Sequence, residues 1–244
     1  LALWWIFSAH AADLAATINE PGAAIISSVA DGVNGAPIST SVRLLLILSA
    51  MSFIPAMLLV MTPFVRFVIV LSMLRQALGL AQSPPNQVII GISLFLSLLV
   101  MQPTLSHAYE QGMEPFLAGS MQPMDAWDKS IEPIRGFMLA NTRKTDMQTI
   151  LQVADMSRPD SLEQLPTPVV TSAFILSELK TALVITVYIF IPFLVIDLVT
   201  SCVLLGMGMM MLPPTVVSLP AKLLVFVLAN GWATLVSAIV SGYR

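Results

Sequence analysis

Few residues in the apolar parts of this 244-residue chain could carry charge or proton chemistry. Glu178, Lys180, Asp197 and Lys222 border or interrupt its last two hydrophobic runs. A charge at membrane depth is costly and faces a bundle interior, a partner or a water path. Asp197 and Lys222 are natural opposite-sign partners, with Glu178 a rival for Lys222. Two chemistries fit this set: a structural or inter-subunit ion pair, and a proton relay, which wants more titratable groups. Placement on separate segments favours the contact. His10 and His107 are the two histidines and Cys202 the one cysteine, too few for a thiol or imidazole metal site. H-E-x-x-H, G-x-S-x-G, C-x-x-C and the phosphate-binding glycine loop are all missing from the sequence. The expectation is no catalytic residue, no metal and no cofactor.

A second feature is mechanical. Residues 205–214 read Leu-Gly-Met-Gly-Met-Met-Met-Leu-Pro-Pro, with Met207, Met209, Met210 and Met211 inside five positions. Methionine is unbranched and polarizable, and repacks around changing neighbours. Two glycines loosen the helix, and Pro213 with Pro214 stops it. The segment reads either as a Met-rich helix end or as a soft constriction that closes a pore yet yields to cargo.

These residues need long apolar helices to position them. The chain is 57% hydrophobic and 10% charged with a net charge of −3, whereas soluble domains are about 25% charged. That describes an all-α, polytopic membrane-type protein with long kinked helices in hairpins. No Lys/Arg run offers a nucleic-acid footprint, so nucleic acid is not expected. Residues 1–11 end in Ala-His-Ala and read as the remnant of a signal peptide. Residues 12–43 are a small, polar, exported segment. Residues 44–104 form a first hydrophobic region, interrupted by Pro55, with a helix boundary at Pro63. Its second run, 88–101, ends at Gln102-Pro103 and is shorter than the roughly 20 residues of a spanning helix. That length suggests a buried or re-entrant piece.

Residues 105–172 form a polar insert with nine acids against five bases, a net −4. Met147, Ile150, Leu151 and Ala154 mark one face of an amphipathic helix, and Ile131, Ile134 and Met138 mark another before it. The charges of this insert read as a solvated face. Residues 173–244 are a second hydrophobic region with an over-long run kinked at Pro192, the Met-rich segment, and a last run at 223–241. Arg66 and Arg75, without nearby acids, place 64–87 near the cytoplasm and the acidic insert outside. With four runs, both ends would be external.

Several motifs in this order resemble the FliP family: Met61-Thr-Pro-Phe-Val-Arg66, Leu71-Ser-Met-Leu-Arg-Gln76, Ser177-Glu-Leu-Lys180, Phe190-Ile-Pro-Phe-Leu-Val-Ile-Asp197 and Gly208-Met-Met-Met-Leu-Pro-Pro214. The resemblance covers about 60–244, and Pro213-Pro-Thr-Val-Val-Ser-Leu-Pro-Ala-Lys222 favours the flagellar members over the injectisome relatives of the SctR type. It implies a pore-forming subunit of the flagellar type III export gate, a ring of five copies assembled with FliQ and FliR and acting beside FlhA and FlhB. It implies a place in the bacterial inner membrane at the flagellar basal body, lifted toward the periplasm. Unfolded flagellar proteins would pass a gasket formed by Met209, Met210 and Met211 with Met207 adjacent. A small-solute transporter or ion channel using Asp197 and Lys222 is the alternative.

Overall fold

A computed structural model describes residues 49, 57, 59–80, 82–156, 164–209 and 212–243. The expected signal remnant and exported segment at 1–43, and Pro55, lie outside the described residues. Among the described residues the regular structure is helical, as expected of an all-α membrane protein. The elements are α1 (Phe64–Ala77), α2 (Asn86–Ala108), a π-helical turn (Tyr109–Met113), α3 (Glu114–Leu117), α4 (Pro123–Asn141), α5 (Lys144–Val153), α6 (Thr167–Gly206), α7 (Pro214–Leu228) and α8 (Gly231–Val240).

The chain divides into two compact units. Apart from residues 49 and 57, the described part of the smaller one runs from Tyr109 to Ser130. Its helices approach closely: a Cβ added at Gly112 would lie 2.0 Å from Ser130 Oγ and 2.5 Å from the Ala126 carbonyl oxygen. Only a glycine fits against that backbone.

The larger unit holds the remaining helices in two packed clusters. In one, the α1 positions Phe67, Val70, Leu71 and Leu74 fall at helical spacing and bury one face against Ile89, Ala182, Phe193, Phe226, Leu235 and Ile239. In the other, Ile134, Phe137 and Met138 of α4 and Met147 and Leu151 of α5 pack on Val170, Ala173 and Phe174 of α6. The amphipathic stripes expected in the insert are therefore real, except that α5 stops at Val153 and Ala154 is its exposed cap. Between apolar helices lipid offers no hydrophobic drive, so close backbone approach matters more. The buried stripes of α2 (Ile89, Ser93, Ser97, Met101) and α6 (Ala173, Ser177, Ala182) supply the small residues for it. Ser93 satisfies its hydroxyl by donating to the Ile89 carbonyl at 2.7 Å.

Among the described residues two stretches are long and apolar enough to cross a membrane, Asn86–Leu117 and Thr167–Gly206, and the bent pair α7 and α8 makes a third if it counts as one span. The first corrects the expectation of a short run ending at Gln102-Pro103. Pro103 lies inside α2, which runs 23 residues. Proline removes one backbone bond and kinks a helix without necessarily ending it, and the polar Thr-Leu-Ser-His that follows is still helical. Pro192 likewise lies within the unbroken α6. The last hydrophobic run is not one straight helix either: α7 and α8 meet at 63°. Asn230 takes the left-handed conformation there (φ 49°), and a Cβ at Gly231 would sit 2.2 Å from the Phe226 ring. Phe226 packs edge-on against Trp232 with ring centroids 5.5 Å apart, filling the inside of the bend.

Candidate functional site

The Met-rich segment begins where α6 is stopped by its own backbone. Met209 N–H donates to the Leu204 carbonyl (2.9 Å) and Gly208 N–H to the Leu205 carbonyl (3.0 Å). Gly208 sits at φ 75°. This pair of bonds around a left-handed glycine is the Schellman stop, which closes orphan carbonyls at a helix end. The next described helix opens at Pro214, with Pro213 extended just before it; proline suits that first position because its missing N–H would be unpaired anyway. Met207 is 67% exposed and Met209 38% exposed. Met210 and Met211 lie outside the described residues. An apolar, flexible side chain held out on a short connection between two helices can pack against another chain or against itself around an axis.

Apart from Arg75, the charges of α1, α6 and α7 each fall in an ion pair. Glu178 of α6 is 1% exposed, and its partner is Arg66 of α1, 4% exposed. Arg66 Nε donates to Glu178 Oε2 at 2.9 Å and Nη2 to Oε1 at 2.5 Å, a two-pronged contact that only arginine makes. Tyr243 completes it: its hydroxyl donates to Glu178 Oε2 at 2.7 Å, and its ring lies 3.9 Å from the Arg66 guanidinium carbon. Phe67 and Phe137 stack near that ring. Burial first, then the adjacent Glu178 carboxylate, push the Tyr243 phenol above its ordinary pKa. It stays a donor.

Asp197 of α6 faces α7. Lys222 Nζ donates to Asp197 Oδ2 at 2.6 Å, and Ser218 Oγ to Oδ1 at 2.5 Å. Lys222 also donates to the Ala77 carbonyl at the end of α1 (3.1 Å), tying three helices at one ammonium. Glu178 and Lys222 thus belong to separate clusters, and Lys222 bonds to Asp197.

Lys180 takes part in a third cluster. Asp146 of α5 is fully buried and accepts from Ser177 Oγ at 2.9 Å and from Lys180 Nζ. Ser177 in turn accepts from the Arg143 N–H at 3.0 Å. Burial alone would raise the Asp146 carboxyl; the bonds from Lys180 and Ser177 and the charges of Lys180 and Arg143 outweigh it and hold the group below the usual value. The reading of the insert charges as a solvated face is therefore wrong for Asp146, which pins α5 to α6. Sequence reasoning also missed Arg66 and Tyr243. An arginine at the third position of the run that starts at Phe64 was the available signal, since burying it unpaired is strongly destabilising.

Long apolar helices joined by a methionine-rich connection define an all-helical membrane protein. The chain belongs to the FliP family, whose family model matches residues 47–239. It is 44% identical over 206 residues to the flagellar biosynthetic protein FliP of Bacillus subtilis, covering 84% of this chain and 93% of that one. Against the FliP of Pectobacterium carotovorum it is 44% identical over 203 residues, 83% of this chain and 79% of the relative. The FliP of Aquifex aeolicus is 41% identical over 206 residues, 84% and 86% of the two chains.

Proposed function

We propose that this chain is a non-enzymatic, pore-forming core subunit of the flagellar type III protein export gate in the bacterial inner membrane. Copies of it, five in number, form a ring with FliQ and FliR and act beside FlhA and FlhB. Unfolded flagellar proteins pass along its axis toward the periplasmic side, where the polar insert 105–172 lies. Met207, Met209, Met210 and Met211 form the gasket that prevents ion leak between passages. Glu178, Lys180, Asp197 and Lys222 hold the helices and the assembly that carry that gasket.

The observation that carries this reading is a family match across nearly all the hydrophobic chain, joined to an exposed Met207 and Met209 at a stopped helix end. The many exposed apolar side chains of α6, such as Leu183, Val187, Ile191 and Leu194, also call for lipid or neighbouring subunits as cover. A solute transporter built on Asp197 and Lys222 is disfavoured, because both Asp197 oxygens already accept bonds from Ser218 and Lys222.

The test deletes Met209–Met211 and measures small-ion leak together with the native mass of the protein co-expressed with FliQ and FliR. The expected result is greater leak from a ring of unchanged mass. Unchanged leak from an intact ring removes the gasket role.

A further inference from the structure

We propose that Arg75, at the corner where α1 turns into α2, binds the phosphate of an anionic lipid headgroup. The guanidinium is under-used. Its Nη1 donates to the Pro84 carbonyl at 3.0 Å and to Asn86 Oδ1 at 2.8 Å, while its buried Nε has no hydrogen-bond partner. A buried donor left unmade costs free energy and calls for a ligand or an ion to explain it. All of Arg75's partners are neutral oxygens. The sequence offers no carboxylate nearby along the chain, because no Asp or Glu occurs between Asp31 and Glu110. The other described arginine of this stretch, Arg66, is neutralised by Glu178 from α6; among the described residues no carboxylate meets the charge of Arg75.

Three neighbours say what meets it. The N-terminus of α2 begins at Asn86, the residue that Arg75 holds. A 23-residue helix presents unpaired N–H groups and partial positive charge at that end, which adds to the guanidinium in favouring an anion. α2 opens a stretch long and apolar enough to cross a membrane, so a bilayer crossed by it would have a border near this corner. The crevice beside Arg75 is walled by Leu74, Leu78, Ile89 and Ile92, with Trp232 of α8 on its side. Trp232 is 48% exposed and Ile92 39% exposed. An aromatic with one wet and one apolar edge belongs at headgroup level, and the isoleucines offer the surface along which an acyl chain lies. A phosphate at the guanidinium with hydrocarbon beside the indole would suit a lipid better than a free ion.

Trp232 is also the reporter. Protein with Trp4, Trp5 and Trp127 replaced by Phe is reconstituted into phosphatidylcholine vesicles, and Trp232 quenching is followed with brominated phosphatidylglycerol or brominated phosphatidylcholine. The expected result is half-maximal quenching at about five-fold lower mole fraction of the anionic lipid, the worth of one basic residue at an anionic surface. Arg75→Gln should abolish the difference while keeping a donor for Pro84 and Asn86. Asn86→Asp, which supplies a carboxylate from within the chain, should abolish it too, and serves if Arg75→Gln does not insert. Equal quenching by the two lipids overturns the proposal, as does a preference that survives in both variants. Loss of the preference on adding inorganic phosphate identifies a free anion as the ligand and overturns the lipid assignment.

Discussion

Replacing Arg66 with methionine keeps much of the side-chain length and volume but removes the charge. Glu178, 1% exposed, then retains only the Tyr243 hydroxyl. Two hydrogen bonds at 2.9 and 2.5 Å are lost, along with the stacking of the guanidinium on the Tyr243 ring. Stranding one member of a buried ion pair costs about 3–5 kcal/mol, and the cation–π contact adds about 1–2 kcal/mol when desolvated. The single variant should therefore lose at least about 3 kcal/mol, more than a hundred-fold in the folding equilibrium. Replacing both partners by methionine removes the stranded charge, and such apolar swaps are often close to neutral. The assay is reversible unfolding in mixed micelles with rising SDS fraction, run on wild type, Arg66→Met, Glu178→Met and the double variant. The expected pattern is two costly singles and a double that recovers most of the loss. A single costing under about 1 kcal/mol, or a double as costly as the two singles added, would refute the assignment of a buried, mutually dependent pair.

Two further outcomes are expected. The Asp146 carboxyl is held below its ordinary value of 3.8, so its contribution is present above that value and is lost as pH falls through the folded one. Melting temperature against pH should therefore drop below about pH 4, and Asp146→Asn should lower stability at neutral pH while flattening that acid limb. Gly231→Ala places a Cβ 2.2 Å from the Phe226 ring and should cost about 1–3 kcal/mol by overpacking; adding Phe226→Leu should recover part of it, and a neutral Gly231→Ala would show that the bend opens freely.

What was legible in the sequence depended on how far the partners lie apart. Asp197 and Lys222 face each other across a Pro-Pro break that announces a helix hairpin, so opposite charges on its two arms could be matched on paper. Glu178 and Arg66 are 112 positions apart, and only the packing of α1 on α6 joins them. The Met-rich segment was visible because methionine, glycine and proline each act locally. The extent of α2 was not, because Pro103 looks like a terminator until neighbouring packing carries the helix past it. Asp146 reads as a surface charge because its helix is amphipathic; the Ser177 and Lys180 that receive it sit on another helix.

The spacing of the two deep charges on α6 has a further consequence. Glu178 and Asp197 are nineteen residues apart in one unbroken helix, about 28 Å along its axis, close to the roughly 30 Å thickness of a bilayer's hydrocarbon. A bilayer centred between them meets one ion pair at each border. Sliding the helix by a single turn, about 5.4 Å, would drag one pair into oil and push the other into water. In such a bilayer the two clusters would act as end stops, giving a uniformly greasy rod a fixed height that its apolar side chains alone could not specify.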